Sequence, residues 1–318
     1  MVIEYISLEL CNPSNWSCGI YFFNSFKIIY KYVEGKLKFG VNTLLYSAKF
    51  TDESTNIFRS IKDMGLDGVE IALEQKGDID YSKTLYKLKE NGLECCSICR
   101  LFGENRDIRG PNKEYIKNGI SYIKDCIDAC VSLECNLFVG PLYSSVGRAN
   151  LESPEDKREQ WKTCVSSFKE LCKYAEEKEV YMAIEPLNRF ETDFINICKD
   201  AVNIINDVGS DMLKIHLDTF HMNIEEKSSG DSIIEAGDLL YHIHASENDR
   251  GAPGTGQVEW KKVKESLKKI GYDKYIVIES FTPEVRIIAK AASIWRQTEK
   301  DANTLVEKGA RFLKELFG

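Results

Sequence analysis

Three features that often reveal a function are missing from this chain of 318 residues. Its formal net charge is −8 at pH 7 and its basic residues are scattered among acids, so it lacks the positive surface of a nucleic-acid-binding protein. Its apolar segment IYFFNSFKIIYKYV is too short to cross a bilayer and is interrupted by Lys27 and Lys31. No glycine-rich phosphate loop follows the first strand-like run. These absences argue against a polyanionic partner, a membrane anchor and a nucleotide-binding open sheet.

Cysteine, by contrast, is plentiful. Eleven cysteines, an odd number, lie within apolar strand and helix patterns, as free thiols do in a reducing compartment. Cys96 and Cys99 form a lone C-x-x-C motif inside the strand-like run LECCSIC, without the second pair that a zinc site needs. We therefore expect a cytoplasmic protein whose cysteines pack in the core, with zinc binding as the lesser alternative.

The second feature that is present is a repeating pattern from Lys38 onward, in which short Val/Ile-rich runs alternate with longer amphipathic stretches. Eight runs are typical of strands: KFGVNTLL, GVEIAL, LECCSIC, NLFVGPLY, VYMAIEPL, LKIHLDT, LYHIHAS and YIVIES. Helices are predicted at 52–64, 80–90, 113–133, 155–178, 195–208, 231–236 and 259–269, and in a broken region that reaches 299–316. Eight alternating units favour a single-domain α/β fold, the (β/α)8 TIM barrel, over a doubly wound open sheet.

Four residues end the last four strand-like runs with an acid or a histidine: Glu185, Asp218, His244 and Glu279. Active sites of such barrels lie at the C-terminal ends of the strands, so these side chains are expected to meet. Three carboxylates and an imidazole in one place would repel one another strongly unless a cation neutralised their charge. The pattern therefore indicates a divalent metal ion. Oxygen-rich ligation with one nitrogen suits Mn²⁺, Mg²⁺ or Co²⁺. Any one of the four could instead be a solvated strand end.

A second layer of polar residues surrounds these four. His216 and His242 each lie two positions before a candidate ligand, so they are expected to face the same interior, either supporting the ligands or packing as core histidines. Loop residues past the strand ends are candidates for binding hydroxyl groups, or for ordinary solvated loops: Arg189, Glu191, His221, Glu247, Asn248 and Arg250. His221 is the strongest of these, because the chain has only four histidines.

A metal between two glutamates on opposite sides suggests abstraction of a proton next to a carbonyl group. One glutamate would remove the proton and the other would return it. Return to the same carbon from the opposite face would give an epimer, whereas return to the neighbouring carbon would give an aldose–ketose isomer.

Several motifs extend this pattern: IEPLNRFET, HLDTFHMNIEE, HIHASENDRGAPGTG, VIESF and ASIWR, with GPLYSSVGR and RDIRGP in support. With these motifs in this order, the chain from about Lys38 to its C-terminus resembles the ketose 3-epimerases, the D-tagatose and D-allulose (psicose) 3-epimerase family of xylose isomerase-like barrels. The resemblance implies C3 epimerisation of a free ketose such as D-tagatose, D-fructose, D-allulose or L-ribulose through a metal-stabilised enediolate.

The resemblance also implies roles for individual residues. Glu185, Asp218, His244 and Glu279 would bind one divalent ion, usually Mn²⁺, and Glu185 and Glu279 would also exchange the C3 proton. Glu191, His221 and Arg250 match the positions that hold the sugar at O1 and O2. The family commonly forms homodimers or homotetramers, so a homo-oligomer is expected. The pocket wall near Tyr46, Phe102 and GPLY does not rank the ketoses.

The alternatives are enzymes or binding proteins built on the same barrel. An aldose–ketose isomerase could use the same metal cage, and a sugar-phosphate 3-epimerase would need phosphate donors near the barrel mouth. A barrel nuclease for damaged DNA would need histidines spread along the chain, whereas all four lie between 216 and 244. A non-catalytic sugar-binding protein is the most distant alternative.

The first 36 residues depart from the family pattern, whose members typically begin at residues matching KFGVN. We therefore divide the chain into an N-terminal extension, residues 1–36, and a barrel domain, residues 37–318. One hypothesis is that the native protein starts at Leu37; the other is that the extension is real and packs on the surface. Detection of a peptide from residues 1–30 in the native protein by mass spectrometry would exclude the first hypothesis.

Overall fold

The computed structural model describes residues 37–100 and 102–318. The predicted extension, residues 1–36, therefore lies outside the described residues, and the division of the chain at residue 36 stays a prediction. Within the described residues, no helix is both long enough and apolar enough to cross a membrane.

Eight parallel strands pair in chain order, and the eighth returns to the first to close the barrel. The strands are β1 Lys38–Asn42, β2 Gly68–Ala72, β3 Glu94–Cys99, β4 Leu137–Gly140, β5 Tyr181–Ile184, β6 Leu213–Asp218, β7 Leu240–Ala245 and β8 Tyr275–Ile278. Each matches one of the eight predicted runs, so the predicted (β/α)8 barrel is confirmed.

Helices follow the strands and cover the outside of the barrel. They are α1 Phe58–Asp63, α2 Tyr81–Glu90, α3 Lys113–Ser132, α4 Pro154–Lys178, α5 Cys198–Val208, α6 Thr219–Glu225, α7 Ser229–Ala236, α8 Trp260–Lys269, α9 Arg286–Ala291 and α10 Ala302–Phe317. After β6 the sequence predicted one short helix, but the structure has two, α6 and α7. The missed helix, α6, begins directly after Asp218, whose side chain accepts a hydrogen bond from the backbone N–H of Phe220 and so caps the helix.

The core is apolar where the helices pack on the strands, and the described cysteines belong to it. All nine cysteines in the described residues, Cys96 and Cys99 among them, are free and buried. Core packing of these thiols, the preferred prediction, is therefore confirmed for this part of the chain. The barrel interior is different, because several inward-facing side chains at its C-terminal end are polar, and these form the site described next.

Candidate active site

The four residues predicted from strand ends come together at the C-terminal mouth of the barrel. Asp218 ends β6 and His244 lies near the end of β7, whereas Glu185 and Glu279 directly follow β5 and β8. One ligand-type atom from each of the four lies within 4.8 Å of those of the other three. All four side chains are buried, the most exposed being Glu279 at 7%. The barrel thus gathers residues from four successive strand ends into one buried cluster.

The chemistry of this cluster fits a metal ion. Three carboxylates and one imidazole provide oxygen and nitrogen donors that lie close enough together for one cation to bind all four groups. Glu185 Oε1 and His244 Nδ1 are buried, and neither has a hydrogen-bond partner among the described residues. Unpaired polar atoms in a protein interior are costly, so their convergence calls for a ligand such as a cation.

Arg250 supplies positive charge to the same cluster from the loop after β7. Its Nη1 donates to Asp218 Oδ2 at 2.5 Å and to Glu279 Oε2 at 3.1 Å. Its guanidinium lies 3.9 Å from the ring centre of Phe220 and 5.0 Å from that of Phe281. Two aromatic rings and two carboxylates therefore fix this buried cation in place.

The environment moves the pKa values of the two glutamates in opposite directions. Burial, reinforced by the negative charges of Glu279 and Asp218, raises the pKa of Glu185 well above its usual value. Burial also acts to raise the pKa of Glu279, but the positive charges of a protonated His244 and of Arg250 outweigh it and lower that pKa. One glutamate therefore favours its protonated form while the other favours its carboxylate.

The predicted hydroxyl-binding residues His221 and Glu191 lie beside the cluster and are joined by Asn188. His221 Nδ1 accepts a hydrogen bond from the Asn188 backbone N–H at 3.1 Å, and Arg250 Nη2 lies 3.3 Å from His221 Nε2. That Nε2 lies 3.7 Å from Glu185 Oε1, and burial together with the Arg250 charge lowers the pKa of His221 well below its usual value. The Asn188 side chain also donates to Glu191 Oε1 at 2.8 Å. His221 is thus a neutral imidazole held beside the cluster by Asn188 and Arg250.

Three other loop candidates have structural partners away from the cluster. Arg189 forms a salt bridge with Glu225 near the surface. The Glu247 carboxylate accepts hydrogen bonds from the backbone N–H groups of Gly254 and Val258 and from the Trp260 indole, and so holds the loop after β7. The Asn248 side chain accepts from the Gln257 backbone in the same loop. Their contacts favour the loop interpretation over hydroxyl binding.

His216 and His242 face the barrel interior, as the two-residue period of a strand predicts, and both are fully buried. His216 Nδ1 lies 3.6 Å from Glu185 Oε2, and neither of its ring nitrogens has a hydrogen-bond partner among the described residues. His242 Nε2 lies 2.8 Å from Glu70, and the His242 ring lies 5.2 Å, centre to centre, from that of His244. Burial lowers the pKa of both imidazoles, so each ring is held neutral.

The sequence pattern missed two residues of this site, Asn42 and Glu70. The Asn42 side-chain amide donates to Glu279 Oε1 at 2.9 Å and to Glu70 Oε1 at 2.7 Å. Glu70 in turn lies 2.8 Å from His244 Nε2. The available signals were a carboxylate inside the apolar run GVEIAL and a polar residue at the end of β1.

The comparisons with known proteins agree with this geometry. A family model described as xylose isomerase-like TIM barrel matches residues 58–316. A probable ketose 3-epimerase from Synechocystis sp. is 29% identical over 282 residues, which cover 89% of this chain and 97% of that protein. A D-psicose 3-epimerase from Enterocloster bolteae is 28% identical, with 89% of this chain and 96% of that protein covered.

Solved structures give the same result. A D-allulose 3-epimerase from Methylomonas sp., in complex with D-allulose, superposes with a TM-score of 0.83 at 27% identity and covers 89% of this chain and 98% of that one. An L-ribulose 3-epimerase structure also superposes with a TM-score of 0.83, at 26% identity, over 88% of this chain and 94% of that one. The predicted resemblance to the ketose 3-epimerases, which are isomerase-class enzymes acting on sugars, is thus confirmed. This chain belongs to the xylose isomerase-like TIM barrel family.

Proposed function

We propose that this protein is a metal-dependent ketose 3-epimerase, which inverts C3 of a free ketose. The observation that carries the proposal is the presence of two glutamates, Glu185 and Glu279, in one buried cluster with Asp218 and His244. The similarity to D-psicose and L-ribulose 3-epimerases over almost the whole barrel supports the same reaction.

Glu185, Asp218, His244 and Glu279 would hold one divalent ion, and their oxygen-rich donor set favours Mn²⁺, with Co²⁺ or Mg²⁺ as alternatives. When bound, the ion supplies positive charge that stabilises the negative oxygen formed as a proton leaves the carbon beside a ketone. His244 must present a deprotonated nitrogen to the ion, which links metal binding to pH.

Glu185 and Glu279 would exchange the C3 proton. They follow β5 and β8, which are separated around the barrel by β6 and β7, so they approach a sugar in the mouth from different sides. One carboxylate removes the proton from C3 and the protonated partner returns a proton to the opposite face.

Arg250, His221 and Glu191 would orient the sugar at O1 and O2. Arg250 is a hydrogen-bond donor, Glu191 is an acceptor at the edge of the cluster, and the His221 ring is held beside them by Asn188 and Arg250. Fixing the substrate in this way places C3 between the two glutamates, and such positioning is a large part of enzymatic rate enhancement.

We further propose, from the family resemblance alone, that the enzyme works as a homodimer or homotetramer.

A panel of free ketoses tests this function. The purified full-length protein is incubated with D-allulose, D-tagatose, D-fructose or L-ribulose, with Mn²⁺ or with EDTA, and the products are separated by chromatography. The proposal expects the C3 epimer of at least one ketose with Mn²⁺ and loss of activity with EDTA. An aldose as the sole product would favour an aldose–ketose isomerase, and activity on sugar phosphates alone would favour a sugar-phosphate 3-epimerase.

The Glu279→Gln variant separates an enzyme from a non-catalytic sugar-binding protein. The substituted amide would keep the shape of the side chain but could not act as a base. The expected result is a variant that binds the ketose by calorimetry without converting it, whereas the wild type converts it. Binding without conversion by the wild type as well would refute an epimerase.

A further inference from the structure

Glu70 is a fully buried carboxylate on β2, distant in sequence from the four cluster residues. Its Oε1 lies 2.7 Å from Asn42 Nδ2 and 2.8 Å from His244 Nε2. Its Oε2 lies 2.5 Å from Ser97 Oγ and 2.8 Å from His242 Nε2. Both oxygens are therefore surrounded by groups that can donate hydrogen, an environment suited to an ionised carboxylate rather than a protonated one.

His244 touches Glu70 with one edge of its ring and the cluster with the other. Nε2 faces Glu70, whereas Nδ1 lies 3.3 Å from Glu279 Oε2 and has no hydrogen-bond partner among the described residues. An ionised carboxylate only accepts hydrogen bonds, so the nitrogen that faces it must carry a proton. A neutral imidazole protonated on Nε2 presents its lone pair on Nδ1.

We propose that Glu70 is a positioning residue for the metal site: it holds the proton of His244 on Nε2 and so directs the Nδ1 lone pair at the cluster formed with Glu185, Asp218 and Glu279. This inference rests on the metal site of the proposed function. It adds a residue from β2, in the half of the barrel that contributes none of the four cluster residues. Carboxylates that orient a histidine ligand from behind commonly determine metal affinity.

Contacts around Glu70 fix the carboxylate itself. Ser97 and Asn42 donate to it from the neighbouring strands β3 and β1, and Asn42 also donates to Glu279 Oε1 at 2.9 Å. The ring of His216 lies 4.0 Å, centre to centre, from that of His244, on which it packs edge to face. Rotation of the His244 ring would break the bond to Glu70 and meet His216, so the orientation is held from two sides.

A rival interpretation is that Glu70 acts only on the buried His242, whose Nε2 lies 2.8 Å from Glu70 Oε2 without forming a hydrogen bond. The two interpretations differ in which variant should lose affinity for Mn²⁺. Glu70→Gln keeps the size of the side chain but removes the charge and the requirement for a proton on His244 Nε2. His242→Gln is the matched control, because it removes the other histidine partner and leaves the contact between Glu70 and His244 in place.

Affinity for Mn²⁺ alone, measured by calorimetry on the metal-free full-length chain, provides the first test. Glu70→Gln is expected to raise the Kd of Mn²⁺ about 10–100-fold. His242→Gln is expected to bind Mn²⁺ with a Kd much closer to that of the wild type. Equal affinity of Glu70→Gln and the wild type would overturn the role of Glu70, as would an equal loss in both variants. Absence of Mn²⁺ binding in the wild type would overturn the metal site as well, so the two failures are distinguishable.

Nuclear magnetic resonance provides a second test, which begins with the wild type and then compares it with Glu70→Gln. The chain has four histidines, so ¹⁵N-histidine labelling gives a small set of ring signals. In the Mg²⁺-loaded protein, His244 is expected to be protonated on Nε2, with a strongly downfield Nε2–H proton that marks a bond to a carboxylate. In Glu70→Gln that proton is expected to move upfield. Protonation of His244 on Nδ1, or an Nε2–H signal that Glu70→Gln does not change, would overturn the proposal.

Discussion

Arg250 offers the sharpest test of how the site balances its charge. The substitution Arg250→Met removes the cation that bonds Asp218 and Glu279 but keeps an unbranched stem able to pack against Phe220. In the absence of metal, two buried carboxylates then lose the donor that lies 2.5 Å and 3.1 Å from them.

The expected loss in the free energy of unfolding follows from the burial of these charged groups. Removing one partner from a buried, hydrogen-bonded ion pair typically lowers the free energy of unfolding by about 3–5 kcal/mol. For a chain of this size, that loss lowers the melting temperature by roughly 5–8 °C. Mn²⁺ would replace the missing positive charge, so it should stabilise the variant more than it stabilises the wild type.

Thermal unfolding followed by circular dichroism, in EDTA and in Mn²⁺, measures both effects. Arg296→Met is the matched control, because Arg296 pairs with Asp249 at 2.7 Å but is 69% exposed. Loss of that surface pair should cost no more than about 1 kcal/mol and should not alter stabilisation by Mn²⁺. If metal-free Arg250→Met melted like the control, or if Mn²⁺ stabilised it no more than the wild type, the balance of charge described above would be refuted.

Three further predictions address the chemistry and the fold. Glu185→Gln and Glu279→Gln should each reduce ketose turnover by about 10²–10⁴-fold, measured by chromatography of the products, and a variant that kept a tenth of the activity would exclude that glutamate as a base or acid. Burial raises the pKa of the Cys126 thiol to about 12. This folded-state pKa lies above the unfolded value, so the stability that the thiol contributes is complete below about pH 8.5 and is lost as pH rises toward 12. Over that range, the free energy of unfolding should therefore fall less steeply with pH in Cys126→Ala than in the wild type, by up to about 1.4 kcal/mol per pH unit in urea unfolding. Equal slopes in the two proteins would contradict this. Gly140→Ala should lower the free energy of unfolding by about 1–3 kcal/mol, because Gly140 has φ +130° and a Cβ there would lie 2.9 Å from the Arg100 backbone oxygen. An unchanged free energy in urea unfolding would refute the claim that alanine is strained at this position.

The fold could be predicted because its signal is repeated and local. Each strand is a short Val/Ile-rich run, each is followed by an amphipathic stretch, and eight such units have few ways to bury their apolar faces other than a closed barrel. Helix α6 escaped prediction because TFHMNIE follows Asp218 with no break, and its start depends on a cap that also belongs to the site. Local propensity is weak evidence for a helix of seven residues.

The candidate cluster could be predicted because its four residues share one positional rule, the C-terminal end of a strand. Glu70 obeys no such rule, since it lies in the middle of β2 and its partners come from β1, β3 and β7. Glu247 is a different case, because the sequence left open both hydroxyl binding and an ordinary loop for a carboxylate just past β7, and in the structure it accepts three hydrogen bonds within its own loop. Contacts between distant segments, which no spacing encodes, decide the case of Glu70, whereas hydrogen bonds within one loop decide that of Glu247.

Deuterium incorporation from solvent tests the central proposal most directly. The wild-type enzyme with Mn²⁺ is incubated in D₂O with the ketose that it converts, and the sugars are analysed by proton NMR. Exchange by two glutamates at one carbon predicts accumulation of the C3 epimer with deuterium at C3 and none at C1. An aldose product, deuterium at C1, or an epimer that retains the original proton at C3 would contradict the proposal.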